Sequence, residues 1–108
     1  MVDRNAGIYL APNVFFHKRF IAERGHIQSF VLQIQVWEDG RWHSVLRCDS
    51  SHGEAHIDEI DPSGRTFHKT WLGVYPPYDA LYNEMVGVIL GSWHDHVNRW
   101  VTQKGAAS

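Results

Sequence analysis

The fold is decided by one alternating stretch near the middle of the chain, HIQSFVLQIQVW at residues 26–37. Every second residue from Phe30 to Val36 is strongly apolar, and Gln33 and Gln35 stand between these positions. Alternation with a period of two is typical of a β-strand that buries one face. The stretch therefore predicts a half-buried strand over residues 26–37.

The sequence EDG at residues 38–40 turns the chain into a second strand over residues 41–49. A three-residue loop with a left-handed Gly40 at a bulge predicts that Val36 faces Trp42. A two-residue Asp-Gly loop would instead place Val36 opposite His43, which mixes polar and apolar side chains on one face. The three-residue loop separates the faces better and is the predicted register.

Further strands are predicted on both sides of this hairpin. Residues 15–22 are aromatic and mixed, which favours a first strand, with a helix as the alternative.

A four-residue loop after residue 49 leads into a strand over 54–61 and pairs Arg47 with His56. The sequence DPSG at residues 61–64 has the composition of a type I turn followed by a left-handed glycine. It pairs Asp58 with His68 in a strand whose Trp71 faces the core.

The C-terminal part of the chain has a helical period. Asp79 is a good N-cap, and apolar residues recur every three or four positions up to Trp100. The predicted fold class is α+β, an antiparallel meander sheet of four to five strands with one C-terminal helix packed on one face. The predicted boundaries are a poorly ordered arm over 1–13, a single domain over 14–103 and a flexible tail over 104–108.

Composition excludes several functional classes. The chain has 108 residues and a formal net charge of −2, without the basic excess that drives non-specific nucleic-acid binding, so such binding would need a local patch. Cys48 is the only cysteine, which excludes an internal disulfide. Neither a signal peptide nor a membrane-spanning run is recognisable, so a cytoplasmic protein is expected.

Side chains that can bind or catalyse are concentrated in the stretch RCDSSHGEAHID at residues 47–58. With the registers above, the sheet face turned away from the helix carries a polar cluster. The predicted catalytic residues of that cluster are Arg47, His56, Asp58 and His68. The predicted binding residues around it are Gln35, His43, Asp49 and His52.

Three functions fit these residues. The leading hypothesis is a small binding or interaction module that takes a protein partner or a small ligand. The first alternative is a metal-independent ribonuclease, in which histidines act as general acid and base and Arg47 holds a phosphate. The second is a zinc site at His56, Asp58 and His68.

No metal or cofactor is assigned, because the spacing matches no strong ligand signature and no nucleotide-binding motif is present. A monomer or a weak homodimer is expected, the latter through an exposed edge at 15–22 or 65–72.

The motifs VLRCDSSHG at 45–53, HID at 56–58 and PSG at 62–64 resemble a family of small prokaryotic proteins described only as a domain of unknown function. The resemblance extends over about residues 15–100 and implies no activity. The arginine and aspartate followed by histidines are also similar to toxins of the TumE type, which implies an antitoxin as partner. This sequence departs from those toxins at Cys48, where an aromatic residue is usual, and it lacks their adjacent histidine pairs.

Overall fold

Residues 1–51 and 53–107 are described by a computed structural model of the chain. In this part of the chain, six strands form one antiparallel sheet in the order of the sequence, and a single long helix packs against it. The elements are β1 Val2–Ala11, β2 Val14–Glu23, β3 His26–Glu38, β4 Arg41–Asp49, β5 His56–Ile60, β6 Thr66–Trp71 and α1 Asp79–Ala107. This confirms the predicted α+β class with an antiparallel sheet and one C-terminal helix, with six strands where four to five were predicted.

The hydrophobic core lies between α1 and the central strands. Phe16, Leu32 and Ile34 of the sheet are fully buried together with Ile89 and Trp100 of the helix. These residues come from the alternating positions of the strands and from the helical stripe that the sequence predicted. On the central strands, the side chains that alternate with these core residues point to the side of the sheet away from α1. This side is called here the open face.

Two-residue turns join β2 to β3 and β3 to β4. Arg24 and Gly25 have φ values of 53° and 80°, and Asp39 and Gly40 have φ values of 53° and 78°. Two successive residues with positive φ are what a type I′ hairpin turn requires, and this turn matches the natural twist of the strands. The prediction of a left-handed Gly40 is confirmed, but the predicted three-residue loop is wrong.

The turn at Asp39 and Gly40 changes the register of the β3–β4 hairpin. Val36 pairs with His43, and a bulge at Val45 then shifts the ladder so that Ile34 pairs with Leu46. The bulge resolves the mixing of faces that had argued against a two-residue loop, because one extra residue reverses the side to which the following side chains point.

A second bulge alters the β5–β6 hairpin. Next to the turn, Ile60 pairs with Thr66 as the predicted register requires, and the Asp61 carboxylate accepts hydrogen bonds from the backbone of Ser63 and Arg65. Beyond the turn the ladder slips by one residue, so that Glu59 pairs with His68. The predicted turn is therefore present, but the predicted pair of Asp58 and His68 is wrong.

The N-terminal residues form a strand where a poorly ordered arm was predicted. β1 pairs with β2 from Val2 to Ala11, and most of its side chains are exposed on both faces of the sheet. It makes β2 an interior strand, so residues 15–22 are not an edge; the two edge strands are β1 and β6. At the other end, α1 runs to Ala107 and includes most of the predicted tail. Within the described residues, no helix is long and apolar enough to cross a membrane.

Candidate functional site

An Asp–His–Asp cluster, formed by Asp49, His56 and Asp58, lies on the open face where β4 meets β5. Asp49 pairs directly with His56 in the ladder, and Asp58 lies two residues further along β5 on the same face. All three residues are buried, and His56 is only 2 % exposed. Burial of three ionisable side chains on the face opposite the core is unusual, because charged groups are costly to remove from water unless they are paired.

The imidazole of His56 is held from both ring nitrogens. Nε2 lies 3.1 Å from Asp49 Oδ1 and 3.4 Å from Asp58 Oδ2. Nδ1 lies 3.3 Å from the backbone carbonyl oxygen of Glu54. The indole of Trp71 lies next to the ring, with 5.0 Å between the centroids. These contacts at both ring nitrogens and with Trp71 restrain the orientation of the His56 ring.

The two carboxylates have further partners that restrain them. Asp49 Oδ1 accepts hydrogen bonds from the backbone N–H of Ser51 at 3.0 Å and from its hydroxyl at 2.8 Å. The ammonium of Lys69 is 3.4 Å from Asp58 Oδ1, and Arg47 Nε is 3.8 Å from Asp49 Oδ2. Cationic side chains thus flank the cluster on both sides and offset its negative charge.

A pocket of about 330 Å³ opens beside the cluster, and Asp49 belongs to both. Its walls include two arginines, Arg19 and Arg47, and its apolar lining includes Ile21 and Val31. Pockets of this size with an apolar lining and a few polar groups are typical of small-ligand sites. The open face therefore combines a rigid polar cluster with a space that a small molecule can enter.

The structure brings together three of the four predicted catalytic residues. Arg47, His56 and Asp58 lie on the open face, but Arg47 pairs with Asp58 and not with His56. The predicted pairing of Arg47 with His56 fails because the loop from β4 to β5 is longer than four residues. Ser50 at the start of this loop still bonds to β3, where its hydroxyl accepts a hydrogen bond from the Phe30 N–H at 2.9 Å.

His68 lies on the opposite side of the sheet. Its partner Glu59 faces α1, where the Glu59 carboxylate is 3.6 Å from His96 Nδ1. The bulge in β6 at Phe67, opposite Glu59 and Ile60, causes this displacement, since a slip of one residue reverses the face. The two-histidine arrangement of the ribonuclease hypothesis and the His68 ligand of the predicted zinc site are therefore not assembled.

The predicted binding residues also lie on different sides of the sheet. Asp49 belongs to the cluster, and Gln35 lies on the open face beside Ser44, away from the cluster. His43 instead faces α1, because it pairs with the buried Val36, and its ring packs against Trp100 at 5.3 Å between centroids. His52 lies outside the described residues.

Three residues of the site were not predicted from the sequence. Arg19 lines the pocket, Lys69 contacts Asp58, and Trp71 covers His56, although Trp71 was expected on the core face. Alternation along residues 15–22 does place Arg19 on the same face as His17, so that signal was present. Lys69 and Trp71 could be placed only with knowledge of the bulge in β6.

Cys48 is a buried core residue. It is fully buried, and burial, reinforced by the charges of Asp49 and Asp58, raises the pKa of its thiol to about 12. Because only the thiolate reacts readily, we expect no reaction with Ellman's reagent in the native protein at pH 8 and one thiol per chain after denaturation. Rapid reaction of the native protein would contradict this burial.

Fold and site together define a small α+β protein with a six-stranded meander sheet, one face covered by a helix and the other carrying a buried Asp–His–Asp cluster. The chain belongs to the family described as Domain of unknown function (DUF7718), whose model matches residues 1–104. This confirms the predicted membership of a family of unknown function. Comparison with curated proteins and with solved structures gave no match.

Proposed function

We propose that this protein is a binding module whose open face takes a small anionic ligand with an apolar body. The observation that carries the proposal is the pair of guanidinium groups, Arg19 and Arg47, on the walls of one pocket with an apolar lining. Arginine binds carboxylate and phosphate groups through parallel hydrogen bonds, and apolar side chains such as Val31 can cover the rest of a ligand.

Hydrogen bonds orient both arginines, and these bonds do not use all of the guanidinium N–H donors. Arg19 donates from Nε and Nη2 to the carboxylate of Asp3 at 3.1 and 2.8 Å, which leaves Nη1 for another acceptor. This ion pair is about half exposed, so it contributes little to stability and a ligand anion can compete with it. Arg47 donates to Gln33 Oε1 from Nε and Nη2 at 3.4 and 3.3 Å, both long hydrogen bonds.

The experiment is a titration of metal-stripped protein with phenyl phosphate, followed by amide NMR signals. We expect saturable shifts at Val31, Ser50 and Ser51, and weaker binding of inorganic phosphate, which has no apolar body. Arg47→Gln should weaken phenyl phosphate binding by about ten- to a hundredfold, the effect of losing a charged hydrogen-bonding partner.

Arg65→Gln is the matched control, because Arg65 is an exposed arginine in the turn before β6 and lies outside the pocket. It should bind phenyl phosphate as the unchanged protein does. Equal weakening by both substitutions would show only general charge attraction, and the absence of saturable shifts in the unchanged protein would end the proposal.

A protein partner is the second candidate, supported by an aromatic group at the other end of the open face. Trp42 contacts both Tyr9 and Trp37, with centroid distances of 6.1 and 5.5 Å, and Tyr9 and Trp37 are 66 % and 47 % exposed. Exposed aromatic side chains are enriched at protein interfaces. A partner of the antitoxin kind would cover this group, and Trp37→Ser should then weaken a complex that Arg65→Gln leaves intact.

A further inference from the structure

The hydrogen-bonding groups around His56 do not match a neutral imidazole. Nδ1 faces the Glu54 carbonyl oxygen, and Nε2 faces carboxylate oxygens of Asp49 and Asp58. All of these oxygens are acceptors, whereas a neutral imidazole carries only one N–H. If that N–H is on Nδ1, the lone pair of Nε2 points at two carboxylates. In that tautomer, a cation at Nε2 would balance the two carboxylates.

The spacing of the three groups suits a metal ion. The oxygens of Asp49 and Asp58 lie 3.1 and 3.4 Å from Nε2, and the three ligand atoms are all within 4.8 Å of one another. Ligand atoms about 2.0–2.2 Å from a zinc ion, at tetrahedral or octahedral angles, are separated by about 3–3.5 Å. The two separations from Nε2 thus match those between the ligands of a bound zinc ion.

The surroundings of the cluster also resemble the support that metal ligands receive in proteins. A hydrogen bond from Nδ1 to the Glu54 carbonyl would fix the tautomer that leaves Nε2 free to coordinate. Ser51 donates two hydrogen bonds to Asp49, which hold that carboxylate toward His56.

Asp58 adds an independent indication. Its Oδ1 is buried and accepts no hydrogen bond among the described residues, and Asp58 itself is 9 % exposed. The ammonium of Lys69, 3.4 Å away, is the nearest positive group, and its side chain is 38 % exposed. Because Lys69 contacts Oδ1, it leaves Oδ2, which lies 3.4 Å from His56 Nε2, available as a ligand.

We propose that Asp49, His56 and Asp58 form a binding site for a divalent transition-metal cation, with Zn²⁺ as the best match to one imidazole and two carboxylates. The ligand atoms are His56 Nε2, Asp49 Oδ1 and Asp58 Oδ2. This site differs from the predicted zinc site, since Asp49 takes the place of His68. It does not rest on the anion pocket, which is tested on metal-stripped protein.

The first test uses the unchanged chain, so that folding of a variant cannot obscure it. Metal-stripped protein labelled with ¹⁵N is titrated with zinc chloride while the histidine ring nitrogens are observed. We expect Nε2 of His56 to move to the range of a metal-bound nitrogen, with saturation at one zinc per chain by calorimetry. If the His56 signals are unchanged at saturating zinc, the nitrogen carries a proton and the proposal is overturned.

Two substitutions then identify the ligands. Asp58→Asn keeps the shape of the side chain and removes its charge, and should weaken zinc binding by at least about tenfold. The control is His26→Gln, because His26 is an exposed histidine whose Nδ1 lies 3.5 Å from one carboxylate, that of Asp79. It should bind zinc like the unchanged chain. Undiminished binding by Asp58→Asn, or loss of binding in His26→Gln, would place the metal elsewhere and contradict the proposal.

Discussion

Trp100→Ala is expected to lower the free energy of unfolding by about 3–5 kcal/mol, which is the usual cost of removing a buried tryptophan side chain. The side chain is 1 % exposed and lies between α1 and the sheet, in contact with the ring of His43. Its removal leaves a cavity that the rigid sheet cannot fill, so both the transfer free energy and the packing contacts are lost.

Urea unfolding followed by circular dichroism measures this effect, and two substitutions serve as comparisons. Val101→Ala changes the neighbouring residue, which is 55 % exposed, and should alter stability by no more than about 0.5 kcal/mol. Trp100→Phe should cost less than Trp100→Ala, because the buried indole N–H has no acceptor among the described residues and its removal leaves nothing unpaired. Similar effects for Trp100→Ala and Val101→Ala would contradict the packing of α1.

His56→Ala is expected to cost about 3–5 kcal/mol in metal-stripped protein, because it leaves the buried carboxylates of Asp49 and Asp58 close together without the imidazole. Lys69 and Arg47 remain, but their contacts with these carboxylates are 3.4 and 3.8 Å long. They therefore compensate only part of the loss.

A double-mutant cycle separates this electrostatic effect from lost packing. Asp58→Ala combined with His56→Ala removes one of the opposed carboxylates together with the ring, and the double variant should be more stable than the sum of single effects by about 0.5–3 kcal/mol. His26→Ala, at an exposed ion pair, should change stability by less than about 1 kcal/mol. Additive effects in the cycle would mean that His56 contributes by packing alone.

The elements of the fold were predictable where their signals are local. The alternation in 26–37, the DPSG turn at 61–64 and the helical stripe after Asp79 each specify one element without reference to the rest of the chain. β1 was missed because it lacks such a signal. Its side chains are exposed on both faces, so its sequence shows no period, and its hydrogen bonds to β2 hold it in place.

The registers of the strands were less predictable, and the candidate site depended on them. The bulge at Val45 and the one opposite Ile60 each insert a single residue, and no glycine or other turn residue in the sequence marks either position. The two-residue turn at Asp39 and Gly40 placed His43 on the helix side, and the second bulge moved His68 away from the open face. The stretch from Arg47 to Asp58 still produced four residues of the cluster or its border, since the alternation of Arg47 with Asp49 and of His56 with Asp58 contains no bulge.

The succession of the strands in the sheet has a consequence for how the chain folds. Because each strand pairs with its neighbour in the sequence, most of the sheet closes through short loops, and three of its hairpins turn on only two residues each. The helix is different: Arg99 bonds to the carbonyl of Val45, and Lys104 to Asp39, across 54 and 65 residues of chain. Topologies dominated by local contacts fold quickly, so the sheet can form hairpin by hairpin. The docking of α1 is then the step that closes the longest loop.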